Sequence, residues 1–206
     1  MKSKTIPLEG VTALLGAEEK DPAGRLAASL PEGQCLAVME EKSRIDPFLT
    51  MKQNANYYKM NMTPEKAARL DELVKLSGLR TREKWDHPFR KDMTGERQLW
   101  RVLLTLLLED GPVLLPQPLA GMASKEREGF AAILRSEAER GRAVVFTAAS
   151  LKDVMSLGAA DRVCFAAGED FAVYTPEEIA ARREALGGED CSYDDLAGRL
   201  AEVDHV

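Results

Sequence analysis

The stretch that decides the fold is Gly95-Glu96-Arg97-Gln98-Leu99-Trp100-Arg101-Val102-Leu103-Leu104-Thr105-Leu106-Leu107-Leu108-Glu109, followed after a short break by Val113-Leu114-Leu115-Pro116-Gln117. Leu99, Val102, Leu103, Leu106 and Leu107 recur at i, i+3, i+4, i+7 and i+8, which marks one helical face. Trp100, Leu104 and Leu108 add a second stripe. A helix apolar over so much of its circumference must lie against a sheet or between layers. Val113–Leu115 then reads as a short strand.

Working outward, the downstream half alternates. Ser124–Arg140 reads as a helix with Phe130, Ile133 and Leu134 inward and Gly141 as its stop. Ala143–Thr147 is β-branched and aromatic, hence strand. Ser150, with Asp153 three residues on, opens a short helix. Arg162–Ala167, a Gly168-Glu169-Asp170 turn and Phe171–Tyr174 predict a hairpin. Thr175-Pro176-Glu177-Glu178 and Ser192–Asp195 open two final helices. Upstream, Thr63-Pro64 starts a helix with Leu70, Leu73 and Val74 on one face, stopped by Gly78. Val11–Leu15 and Gln34–Met39 read as strands, with a short helix opened by Asp21-Pro22 between them. Strands alternating with helices at this spacing predict an α/β layer with parallel strands.

Composition narrows the function. The 206 residues suit about one domain. With 28 basic against 34 acidic residues the net charge is −6, which disfavours a phosphate backbone as partner, so no nucleic acid is expected. The longest apolar runs are five residues, far below the about 20 that span a bilayer. No apolar segment follows the N-terminal lysines, so no signal peptide is read and a cytoplasmic protein is expected. Cys35, Cys164 and Cys191 are too scattered for a disulfide framework or a zinc site; Cys35 and Cys164 read as core thiols in apolar strands, and no metal is expected. His87 has no nucleophile or ligand cluster near it and reads as a surface histidine. Arg182-Arg183-Glu184 and Glu189-Asp190 read as solvated faces.

The order of pieces resembles the ATPase domain of ABC transporters over roughly residues 34–180. Gly95-Glu96-Arg97-Gln98, the apolar helix and Leu114-Leu115-Pro116-Gln117-Pro118-Leu119-Ala120-Gly121 resemble that family's signature motif through Walker B and the D-loop. Val144-Val145-Phe146-Thr147, Ser150-Leu151-Lys152-Asp153-Val154, Ala160-Asp161-Arg162-Val163 and Thr175-Pro176-Glu177-Glu178-Ile179 follow in register. Leu49-Thr50-Met51-Lys52-Gln53-Asn54 resembles the entry to its helical subdomain. The resemblance implies a P-loop-NTPase-like α/β fold in one domain, 1–206. Its mostly parallel sheet is flanked by helices, with a helical subdomain at about 48–95 and a C-terminal helical extension at about 175–206. Relative to that family, ten residues before Val11 and an interval of 25 from Gly16 to Glu41 imply a trimmed N-terminal β-subdomain.

Against that family the chemical positions are degenerate. A phosphate loop of the type G-x-x-x-x-G-K-[ST] needs glycines, a lysine and a hydroxyl. Aligned from Gly16, the sequence offers Glu19, Asp21 and Pro22 there, and shifting to Gly24-Arg25 puts Leu26 at the hydroxyl position. The Walker B acids are Pro116 and Gln117; glutamine orients water but accepts no proton. The γ-phosphate-contacting histidine is Ala149, the D-loop aspartate Ala123, the signature serine and first glycine Met93 and Thr94, and the Q-loop position Glu41. The retained Gly95-Glu96-Arg97-Gln98 either packs as a helix start or faces a nucleotide on a partner. No catalytic residue, no nucleotide site and no cofactor are therefore expected, with Mg-ATP bound weakly at most.

The resemblance implies a pseudo-ATPase at the inner membrane face, working with a membrane permease, a competent ABC ATPase subunit or a second copy. Two alternatives stand beside it: an ATPase subunit whose site a partner completes, and a free-standing soluble interaction protein. Phe48, Met51, Tyr57 and Tyr58, with Met60 and Met62, occupy the region that receives a coupling helix in the family, and adaptable methionine and aromatic surfaces suit such a partner. They serve equally as the subdomain's own core.

Overall fold

The computed structural model describes residues 2–3, 6, 8–16, 26, 30, 35–40, 45–81, 83–89, 93–167, 170–186, 188 and 191–202. Among the described residues, seven strands form one sheet: β1 (Lys2–Ser3), β2 (Val11–Leu15), β3 (Ala37–Val38), β4 (Val113–Leu115), β5 (Val144–Thr147), β6 (Arg162–Ala167) and β7 (Asp170–Tyr174), in the order β1-β7-β6-β2-β5-β4-β3. The five strands from β6 to β3 run parallel, with Thr12 opposite Val145 on β5 and Arg162 on β6. β7 and β1 extend one edge antiparallel. All five residues of β2 are buried, as expected of a parallel strand covered on both faces.

Alternation along the strands splits the core in two. Val11, Ala13, Leu15, Val113, Leu115, Val144 and Phe146 face the main helical layer; Leu14, Leu114, Val145 and Cys164 face a smaller cluster closed by Ile6, Leu26 and Phe171. The apolar helix of the opening stretch is α3 (Thr94–Leu108), preceded by α1 (Met51–Met60) and α2 (Pro64–Leu76) and followed by α4 (Ser124–Glu139). Trp100 and Leu99 on α3 are fully buried. Trp100 meets Trp85 and Phe89, at centroid distances of 6.4 and 6.3 Å, and so joins the helical subdomain to the sheet layer. After β5 come α5 (Leu151–Leu157) and, beyond the β6–β7 hairpin, α6 (Pro176–Ala185) and α7 (Tyr193–Glu202).

Several helix starts form as the sequence dictates. Thr50 and Thr175 make reciprocal capping boxes with Gln53 and Glu178; Thr63 and Ser150 accept from Lys66 N and Asp153 N. Asn54, 2% exposed, donates to the carbonyls of Asp46, Leu49 and Thr50 and accepts from Asp46 N, so one buried amide builds the turn that launches α1.

Of the strand expected over Gln34–Met39, the described residues pair at Ala37–Val38, at the sheet edge, and Gln34 lies outside the described residues. Cys35 is correspondingly exposed rather than a core thiol, whereas Cys164 and Cys191 are buried. β1 had no signal in the sequence, since two residues cannot show alternation. The helix expected after Asp21-Pro22 lies outside the described residues, apart from Leu26 and Leu30. Arg182 and Arg183 are not simply solvated: they stack over Tyr174 and Tyr193, 4.8 and 4.3 Å from the ring centres, and Arg183 donates to the Cys191 carbonyl. Glu189-Asp190 lies outside the described residues.

The thiols give a direct check of this packing. Burial pushes the Cys164 thiol up to about 12, with the nearby Arg162 charge acting in the opposite direction. A thiol reagent applied to native protein at mildly alkaline pH should therefore add one label, at Cys35, and reach Cys164 and Cys191 only after denaturation. Intact mass before and after Cys35→Ser reads this out; two labels on the native chain would contradict the burial of the other thiols.

Candidate functional site

In open parallel sheets, ligands bind outside the carboxyl ends of the strands, where the strand order reverses. Here that point is the end of β2, flanked by β5 on one side and β6 on the other. β2 ends at Gly16, whose φ of +87° lies in the left-handed region open to glycine. The expected loop residues Glu19, Asp21 and Pro22, and the Q-loop position Glu41, lie outside the described residues.

The end of β4 carries Pro116 and Gln117. Gln117 is exposed and takes φ of 42°, a conformation that costs a non-glycine residue about 1–3 kcal/mol. Hydrogen bonds on both sides hold it. Its N–H donates to Thr147 Oγ1 at 2.7 Å, at the end of β5, and its carbonyl accepts from Gln98 Nε2 at 3.3 Å. Gln98 Oε1 accepts from Arg101 Nη1 at 2.9 Å, and Arg101 Nε donates to the Glu40 carbonyl at 3.1 Å, beyond β3. One polar chain thus ties the ends of β3, β4 and β5 together through α3. Among the described residues, the Gln117 N–H, the Gln98 amide and the Arg101 guanidinium are bonded to the protein itself.

The remaining positions are inert in the same sense. Ala149 presents an exposed methyl, and the next residue, Ser150, is committed to capping α5. Ala123 sits at the N-cap of α4 without a side-chain acceptor, and its N–H donates to Glu126 Oε2 at 3.0 Å. Met93 is fully buried. Gly95 is there for closeness: a Cβ would stand 2.8 Å from Glu126 Cγ and 3.1 Å from the Gly121 carbonyl, while Thr94 packs its methyl against Gly121. The structure thus uses Thr94 and Gly95 as a packed joint between α3 and the turn before α4.

The described residues at the end of β4 do not fit Mg-ATP. Neither residue after β4 offers a carboxylate for the metal, and the Gln117 N–H is spent on Thr147. Among the described residues no three of His, Cys, Asp or Glu cluster as a metal site. Among the described residues, a cleft of ≈440 Å³ lined by Arg69, Glu137 and Arg142 lies at the amino ends of β4 and β5, and one of ≈470 Å³ lined by Arg127 and Asp153 lies between α4 and α5.

The expected partner surface divides. Phe48 is 88% exposed and Tyr57 60%, and Met60, three residues on from Tyr57 and on the same side of α1, is 85% exposed. Met51, expected beside them, is fully buried: as the first residue of α1 it points with Ala55 into the core. Tyr58 is half-buried against that core, with Tyr57 edge-on to it at 5.7 Å. His87 is an exposed residue whose carbonyl accepts from Met51 N.

No protein-family model matches the sequence, and no curated protein matches it. Among solved structures the chain is similar to an ATP-binding subunit of an ABC transporter. The TM-score is 0.60 at 17% identity, over 93% of this chain and 88% of that one. Among the described residues no helix is long and apolar enough to cross a membrane. The likeness is one of architecture: a mostly parallel sheet flanked by helices, built as in an ABC-transporter ATP-binding subunit.

Proposed function

We propose that this chain is a pseudo-ATPase: an ABC-ATPase-like subunit that serves a membrane transport complex as an interaction or regulatory component and does not hydrolyse ATP by itself. The observation that supports it is the strand-end chain Thr147–Gln117–Gln98–Arg101–Glu40, which bonds the Gln117 backbone and the Gln98 and Arg101 side chains to the protein itself. Without a carboxylate after β4, nothing there takes a proton from water or holds a metal. Its partner on this reading is a permease or a competent ATPase subunit at the inner face of the membrane, engaged through Phe48, Tyr57 and Met60.

Nucleotide titration tests the non-catalytic half. A ligand present at about 100 times its Kd stabilises a protein by about 2.7 kcal/mol. In a chain of this size each kcal/mol moves the melting point by about 2–4 °C. We expect millimolar Mg-ATP to leave the melting temperature unchanged within about 1 °C and to give no calorimetric heat. A shift of several degrees, or turnover abolished by Gln117→Ala, would favour an ATPase subunit instead.

A further inference from the structure

At the amino ends of β4 and β5, opposite the strand ends described above, a second polar cluster converges on one carboxylate. Glu137, near the end of α4, has a side chain 3% exposed and lies between two guanidinium groups: Arg69 of α2, 11% exposed, and Arg142, at the start of β5, 13% exposed. Arg69 Nη2 pairs with Glu137 Oε1 and donates to Ser136 Oγ at 3.2 Å, and its Nη1 reaches Glu72. Arg142 Nη1 pairs with Glu137 Oε2 at 3.2 Å and also donates to the Leu106 carbonyl, its Nε donates to the Gly111 carbonyl at 3.0 Å, and its Nη2 donates to the Glu109 carbonyl. Glu137 is thereby tied to α2, to the end of α3 and to β5. Farther along the α2–α4 seam, Gly129 of α4 meets the backbone of Ser77, the fully buried C-cap of α2: a Cβ there would lie 2.4 Å from the Ser77 carbonyl oxygen.

We infer that Glu137 locks the α1–α2 helical subdomain onto the sheet layer, so that the two move as one rigid body. Two restraints of different kind act along one seam. Separating α2 from α4 would strand a desolvated carboxylate without one of its two cations, and loss of a partner is the costly way to break a buried pair. Sliding is opposed by the Ser77–Gly129 contact, where backbone meets backbone and no flexible side chain can give. The hydrogen bond from Arg69 also holds the Glu72 carboxyl below its ordinary range. The inference does not depend on the proposed function. If both hold, a push on α1 displaces the whole chain.

Native-state hydrogen exchange across a denaturant series, on the full chain, tests it. In the wild type the amides of Leu70, Leu73 and Val74 should exchange through the same global opening as those of β2 and β5, with the same denaturant dependence. In Glu137→Gln, protection of α1 and α2 should fall at least tenfold further than that of β2 and β5; Arg69→Lys, which keeps the charge but loses the planar fork, should give a smaller change of the same sign. Wild-type exchange of α2 through a smaller, separate opening would overturn the lock, whether or not either variant folds. Equal loss of protection everywhere in Glu137→Gln would overturn it too.

Discussion

Replacing Trp100 with alanine should cost about 3–5 kcal/mol, the range for emptying a fully buried aromatic site, and lower the melting temperature by about 6–20 °C. Trp100 is fully buried on α3, and its ring packs edge-to-face or tilted against Trp85 and Phe89 from the end of the helical subdomain. Such ring pairs add about 0.5–1.5 kcal/mol beyond the area they bury. The alanine leaves a void that the surrounding chain fills poorly, since Leu99, Leu103 and Leu104 are themselves held by a continuous core. Trp100→Phe keeps a ring against both neighbours and should lose less than half as much. Urea midpoints for the two variants give the comparison. An alanine variant within 1 kcal/mol of wild type would mean that this junction is not packed as described.

The second large effect is on association. If Phe48, Tyr57 and Met60 are where a partner docks, Phe48→Ala with Tyr57→Ala should weaken capture by at least tenfold, because truncating a central aromatic anchor costs about 2 kcal/mol or more. The same double variant should stay within about 0.5 kcal/mol of wild-type stability, since both side chains are largely in water. The measurement is recovery of a polytopic membrane protein with tagged chain from detergent-solubilised membranes, wild type against variant. Equal recovery with both would remove this face as the docking site. Recovery of a soluble partner alone would favour a free-standing interaction protein.

How far the sequence could be read depended on whether neighbours or distant residues decide the outcome. α3 and β4 were legible because an apolar period of 3.6 and a short aliphatic run are local signals, as are the caps at Thr50, Thr63, Ser150 and Thr175. β1 was not, because its two residues form a strand only by meeting Phe171 and Ala172. Met51 shows the limit within one helix. The burial of Asn54, a polar residue, blurs the stripe that would have told Met51 from Tyr57. Within the candidate site, Pro116, Gln117 and Ala149 raised the expectation of a missing chemistry, but nothing local revealed that Gln117 is bonded on both sides by Thr147 and Gln98, 30 and 19 residues away. Glu137 was hidden for the same reason. A glutamate in a charged helix reads as surface until Arg69, 68 residues earlier, is placed against it.

The position of β2 has a consequence for biosynthesis. Val11 begins the middle strand of the sheet, yet Asp161, whose carboxylate accepts its N–H, is 150 residues away. A ribosome adding about 5–20 residues per second needs about 8–30 s to cover that distance. Until β5 is made this apolar segment has neither of its sheet neighbours, and its insertion between β5 and β6 has to be a late event. Nascent chains stalled before residue 162 should therefore depend on chaperones, and ones released beyond it should not.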